Sequence, residues 1–263
     1  MSENTYTNVD REFAINPNYG KGCFRRQILL RNEPGQVVAA LEDDCHGFRV
    51  TLRHDGTLIT DVQGETLRVP YTTCPGATEP LRALRGVAVG SDARSINSQV
   101  SPFSNCTHLF DLSVLAIVHA GRRETERLYE VQVDDEVDGQ PAQSVVWCNG
   151  EEMLRFTTQE WQIVGPECYA GRPLFKGFAA WANETFSGDL CEAAFVLHKG
   201  YFVSSARRYD ASAMAGTRGD ELPYIPGACH TYSEGRVQQA IRLPDTNRDF
   251  TDRPEDLLQF KSA

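Results

Sequence analysis

The chain has 263 residues, 41% hydrophobic and 24% charged, with a formal net charge of −10 at pH 7. That usage suits a globular protein with enough chain to bury a core, and it excludes disordered and collagen-like classes. The acidic balance and scattered Lys and Arg residues exclude a nucleic-acid partner, and no apolar run reaches the ~20 residues of a membrane span.

The opening stretch "MSENTYTNVDREFAINP" is polar and acidic, unlike a signal peptide, so the expected compartment is the cytoplasm. Strands are expected at 22–31, "GCFRRQILLR", and 36–41, "QVVAAL". A hairpin follows over 47–70. Phe48, Val50 and Leu52 alternate with Arg49, Thr51 and Arg53, His54-Asp55-Gly56 makes the turn, and Pro70 closes the second strand. The stretch "TTCPGATEPLRALRG" predicts a short helix, with Thr72 or Thr73 as cap, Pro75 in the first turn and Gly86 as stop. A longer helix is expected in "SNCTHLFDLSVLAIVHAG", where Leu109, Leu112, Ala116 and Ile117 recur at helical spacing and Gly121 ends it.

The charged stretch "GRRETER" then marks a boundary between an α+β domain (1–121) and a mixed β/α subdomain (122–263). Beyond it, strands are expected at "LYEVQVDD", "QSVVWCNG" and "EWQIVG", and helices at "PLFKGFAAWANETFSG" and "GDLCEAAFVLHKGYFVSSA". The last forty or so residues, rich in Pro, Asp and Gly, read as irregular chain wrapping the surface. The fold class is α+β, an antiparallel sheet with helices.

Groups able to bind metals or move protons gather at the ends of these elements. Asp43, Asp44 and His46 head one strand, Cys74 enters one helix, and Cys106 and His108 enter the next. Helix starts favour thiolate, and zinc or iron needs deprotonated sulfur and neutral imidazole. Asp44, His46, Cys74, Cys106 and His108 are therefore candidate metal ligands. A strand-end histidine that only hydrogen-bonds, and a cysteine that only packs, are the ordinary alternatives for each residue taken singly. His54 stands at the far end of its strand, roughly 20 Å from His46, and reads as a turn residue.

Asp43, His46 and Glu192 are candidate proton carriers, Glu192 being an acid in an otherwise apolar helix. Arg26, Arg68 and Tyr71 are candidate substrate-binding groups, although either arginine can instead balance Asp43. Phe175, Phe178, Trp181 and Phe186 read as core. The pair Cys229-His230 is a weaker Cys/His set that can return to the first-half site. The signatures GxSxG, Walker A, HExxH, GxGxxG and the EF-hand loop are all absent, which argues against esterase, nucleotide-dependent and zincin chemistry.

The order of strand, hairpin, Cys-led helix and second Cys-containing helix start over residues 36–120 resembles iron–sulfur cluster scaffold proteins of the IscU/SufU/NifU type. In that resemblance Asp44-Cys45-His46, Cys74 and Cys106-Thr107-His108 fall near the three cluster-ligating positions, with Asp44 or Cys45 replacing the first cysteine. Over most of the chain, "YGKGCFRRQILLR", "EDDCHGFRVTLRHDG", "LRVPYTTCPGA", "NCTHLFDL", "FKGFAAWA", "CEAAFVLHKGYFVSSARR" and "AIRLPDTNRDF" together resemble the bacterial family called domain of unknown function 2889. That resemblance implies a setting in the breakdown of aromatic and other recalcitrant compounds, without a defined reaction.

The resulting expectation is a metal-dependent enzyme, with zinc as the ion. It would act as a hydrolase or lyase on a small organic substrate bearing a carbonyl, and can be a homo-oligomer. The alternative is a metal carrier, holding iron or an iron–sulfur cluster without turnover. A third reading is a structural partner protein in which the same residues only pack.

Overall fold

The computed structural model describes residues 13–102 and 105–260. Most of the polar opening segment and the last three residues of the C-terminal wrap lie outside the described residues. Among the described residues, nine strands form one antiparallel sheet: β1 (Cys23–Glu33), β2 (Gln36–Asp43), β3 (Gly47–His54), β4 (Ile59–Arg68), β5 (Glu126–Asp134), β6 (Ala142–Cys148), β7 (Glu151–Gln159), β8 (Gln162–Gly165) and β9 (Arg172–Pro173). Their order is β4-β3-β2-β1-β5-β6-β7-β8-β9. Four α-helices accompany them among the described residues: α1 (Ala93–Gln99), α2 (Thr107–Ala120), α3 (Phe178–Thr185) and α4 (Gly188–Ser204).

The period-2 pattern does what it should. Phe48, Val50 and Leu52 of β3 are buried while Arg49, Thr51 and Arg53 are more open. The inward row of β1 runs Phe24, Arg26, Ile28, Leu30, and that of β2 runs Val37, Ala39, Leu41, Asp43. Each row thus holds one charged residue among apolar ones. α2 packs over β1–β3 and α4 over β1 and β5–β7, and Asp111 of α2 pairs with Lys199 of α4 at 3.1 Å.

The boundary expected at 121/122 coincides with the turn from α2 to β5. β1 pairs with β5 from Cys23↔Asp134 to Arg31↔Glu126, so one sheet and one hydrophobic core span both halves. Gly121 does end α2, but at φ −84°, which any residue adopts. Its need for glycine is a close approach: a Cβ there would stand 2.6 Å from the Gly90 Cα.

Cys74–Leu84 is a 3-10 helix rather than an α-helix, with Pro80 inside it removing an N–H donor. The strand β7 was not expected from its polar sequence. Its signal is the Asn149-Gly150 turn, both residues at positive φ (51° and 82°), a tight hairpin connection to β6. From Ser205 onward the described chain has only short 3-10 turns and isolated bridges, including Tyr71↔Arg242, as the irregular wrap requires. Among the described residues, no helix is long and apolar enough to cross a membrane.

Candidate functional site

The β1–β2 register places Arg26 directly opposite Asp43. Arg26 donates from Nε and Nη2 to Asp43 Oδ2 at 3.0 and 2.6 Å, with both side chains almost wholly buried. The other oxygen, Oδ1, accepts the backbone N–H groups of Cys45 and His46, each at 2.8 Å, and lies 3.1 Å from His46 Nδ1. Asp43 thereby closes the β2–β3 turn through its side chain and orients the His46 ring.

His46 stacks between elements. Its ring lies 5.7 Å from Phe48 and 4.1 Å from His108, which the first turn of α2 brings over the sheet. One ligand atom from each of Asp43, His46 and His108 lies within 4.8 Å of the others, and no other such trio occurs among the described residues. Burial alone would raise the Asp43 carboxyl, but Arg26 and His46 hold it well below the usual carboxylate range. Burial, with the charges of His46 and Arg26 beside it, pushes His108 well below the usual imidazole value. An ionised carboxylate and a neutral imidazole are the forms that bind a metal, so these residues fit one.

His46 and His108 form part of the wall of a cavity of about 1210 Å³, with Asp43 behind them. Most of the rest of the wall comes from beyond residue 122, including Trp161, His198, Tyr232 and Arg242.

The other expected site residues go elsewhere. Asp44 turns to Arg207, accepting from Nη1 at 2.7 Å, while burial pushes its carboxyl up to about 7 against that arginine's pull. Cys74 and Cys106 line the same cavity without joining the Asp43, His46 and His108 trio, and the Cys74 sulfur sits 3.4 Å from Thr231 Oγ1. Against the expectation of a thiolate at helix starts, burial raises both thiols, outweighing the hydrogen bonds that lower them. Four of the cysteines line the cavity: Cys45, Cys74, Cys106 and Cys229, the last returning from the wrap. Since no three sulfurs gather closely among the described residues, the iron–sulfur scaffold likeness finds no support.

Arg26 is held by Asp43 and does not line the cavity. Arg68 stitches the turn, donating to Glu42 at 3.2 Å and to the carbonyls of Asp44 and Thr246 at 3.0 and 2.6 Å. Tyr71 does face the cavity, its hydroxyl accepting from Tyr232 at 3.4 Å. Glu192 accepts from Arg122 at 3.0 Å and from the Tyr129 hydroxyl, outside the cavity wall. His54 stays in its exposed turn, its Nδ1 taking the Gly56 N–H at 3.2 Å.

The family model described as "Protein of unknown function (DUF2889)" matches residues 31–120, about a third of the chain. The chain is similar to that family over the segment that holds Asp43, His46 and His108. No curated protein matches the chain. The family description names no chemistry.

Proposed function

We propose that the protein is a metal-dependent enzyme in which Asp43, His46 and His108 hold a divalent ion, zinc or ferrous iron, beside a cavity for a small carbonyl-bearing organic substrate. The observation that carries this reading is the convergence of three ligand atoms within 4.8 Å where the wall of a cavity of about 1210 Å³ begins. Two imidazoles and one carboxylate suit either ion and leave coordination positions open. A bound ion would supply Lewis-acid polarisation of a substrate carbonyl, which suits hydrolysis or lyase chemistry. Arg26 keeps Asp43 ionised, and Asp43 fixes the direction of the His46 ring. The adjoining cavity favours turnover over metal carriage.

One observation favours a second reading without a metal. Both oxygens of Asp43 already accept N–H groups, which is how a carboxylate orients a histidine for general acid–base work. His46 would then take or deliver the proton, with the neutral His108 ring tilted against it.

Zinc and ferrous titrations of metal-stripped protein, followed by elemental analysis, separate the two. The metal reading expects about one equivalent in the native chain and none in His46→Ala or His108→Ala. No uptake by native protein, with anaerobic samples included, would discard the metal and leave the Asp43–His46 dyad.

A further inference from the structure

We infer that Arg242 forms a carboxylate subsite in the same cavity, so that the substrate is an organic acid held by its carboxylate with its other end toward His46 and His108. The inference rests on the reading of this cavity as a substrate site.

Three cations line the cavity among the described residues: Lys199, Arg208 and Arg242. Lys199 is paired with Asp111 at 3.1 Å. Arg208 stands over the Tyr19 ring, 5.4 Å from its centroid, and faces Glu136. Like Arg208, Arg242 makes no ion pair with a carboxylate among the described residues, but it is half-buried where Arg208 is exposed. Its side-chain acceptor is a neutral amide, Asn247 Oδ1, at 2.8 Å from Nη2. Its Nε is buried with no acceptor. A buried, charged N–H donor without an acceptor is costly, and a ligand oxygen is what would satisfy it.

The surroundings fit a carboxylate. The Tyr71↔Arg242 backbone bridge sets the guanidinium over the Tyr71 ring, 5.4 Å from its centroid. Tyr232 donates to the Tyr71 hydroxyl, which leaves the Tyr71 proton for a ligand oxygen. Planar guanidinium groups bind carboxylates through paired N–H groups. A phosphate dianion fits less well, because Asp134, Glu136 and Glu160 also line the cavity. The subsite also adjoins the histidines. Asn247, which holds Arg242, reaches Cys45 Sγ at 3.8 Å, and His46 is the next residue.

Calorimetric titration of metal-stripped protein with benzoate and with its neutral isostere benzamide tests the subsite. Native protein is expected to prefer benzoate, and Arg242→Gln to lose that preference by about tenfold or more. Arg242→Lys, which keeps the charge but not the fork, should recover part of it and so guards against a misfolded variant. Equal preference in native protein and Arg242→Gln would overturn the inference, as would no benzoate binding at all. Because the protein is metal-stripped, a preference that depends on Arg242 would stand even if zinc and iron fail to bind, and the metal reading alone would fall.

Discussion

Arg207 donates to Asp44 across 163 positions of chain, Nη1 to Oδ2 at 2.7 Å, and also holds Asp135 at 2.9 Å and Asp249 at 3.3 Å. The neighbouring acid, Asp43, goes to Arg26 instead. Two consecutive aspartates thus serve different arginines: Asp43 locks the strand-head turn, and Asp44 ties that turn to the end of α4 and to the wrap.

Removing Arg207 would leave Asp44 and Asp135 buried without their counter-charge. Arg207→Met is expected to lower stability by about 3–5 kcal/mol, with part recovered when Asp44→Asn is added. Urea unfolding measures both, and a loss below about 1 kcal/mol in the single variant would show that the network is not anchoring the wrap.

His198 gives the stability a pH dependence. It stacks on Phe178 at 4.1 Å with Nε2 3.0 Å from the Leu174 carbonyl, and burial, helped by Lys199, lowers it to about 4 from an ordinary 6.5. The unfolded chain therefore binds this proton more readily than the folded one. Its contribution is present above pH 6.5 and is lost as pH falls toward 4, by about 3 kcal/mol over that window. Denaturation curves for native protein and His198→Leu should converge in steepness above neutral pH and separate below it. Parallel pH profiles would refute the assignment.

The thiols are expected to be inert toward metals. Cys74→Ser and Cys106→Ser should retain whatever zinc or iron the native chain binds. Iodoacetamide at pH 8 should label exposed Cys168 first and leave Cys106 and Cys45 slow, since burial pushes Cys45 up to about 12 and raises Cys106 further. Metal lost with either serine variant would return the sulfurs to the site.

Glu192 sits under two arginines and a tyrosine, with Arg122 Nη2 at 3.2 Å, Arg127 at 3.6 Å and the Tyr129 hydroxyl donating to it. Glu192→Ala is expected to cost about 3 kcal/mol of stability while leaving metal uptake unchanged. A stable variant with altered uptake would place this acid in the site after all.

Much of this was legible in the residues. The alternation of Phe48, Val50 and Leu52 defines β3, the Asp-Gly turn defines the hairpin, and the spacing of Leu109, Leu112 and Ala116 defines α2. Strand-end Asp43 and His46 and helix-start His108 were visible as chemistry at element ends, because a turn or a first helical turn leaves side chains free to project. Which of them meet was not legible. Asp44 is as good a ligand as Asp43 in composition, and the choice between them follows from strand pleat: Asp43 falls in the inward row opposite Arg26, and the next residue does not.

Local sequence thus determined most of the strands, the hairpin, α2 and the short list of chemical groups, since periodicity and turn residues act over a few positions. Tertiary structure alone decided three matters. It ran one sheet through the 121/122 boundary, it raised the helix-start thiols by burial, and it brought Tyr232, Asn247 and Arg242 from an irregular wrap to the cavity. Each depends on contacts between segments far apart in the chain, and on how deeply those contacts bury a charge, which no local pattern encodes.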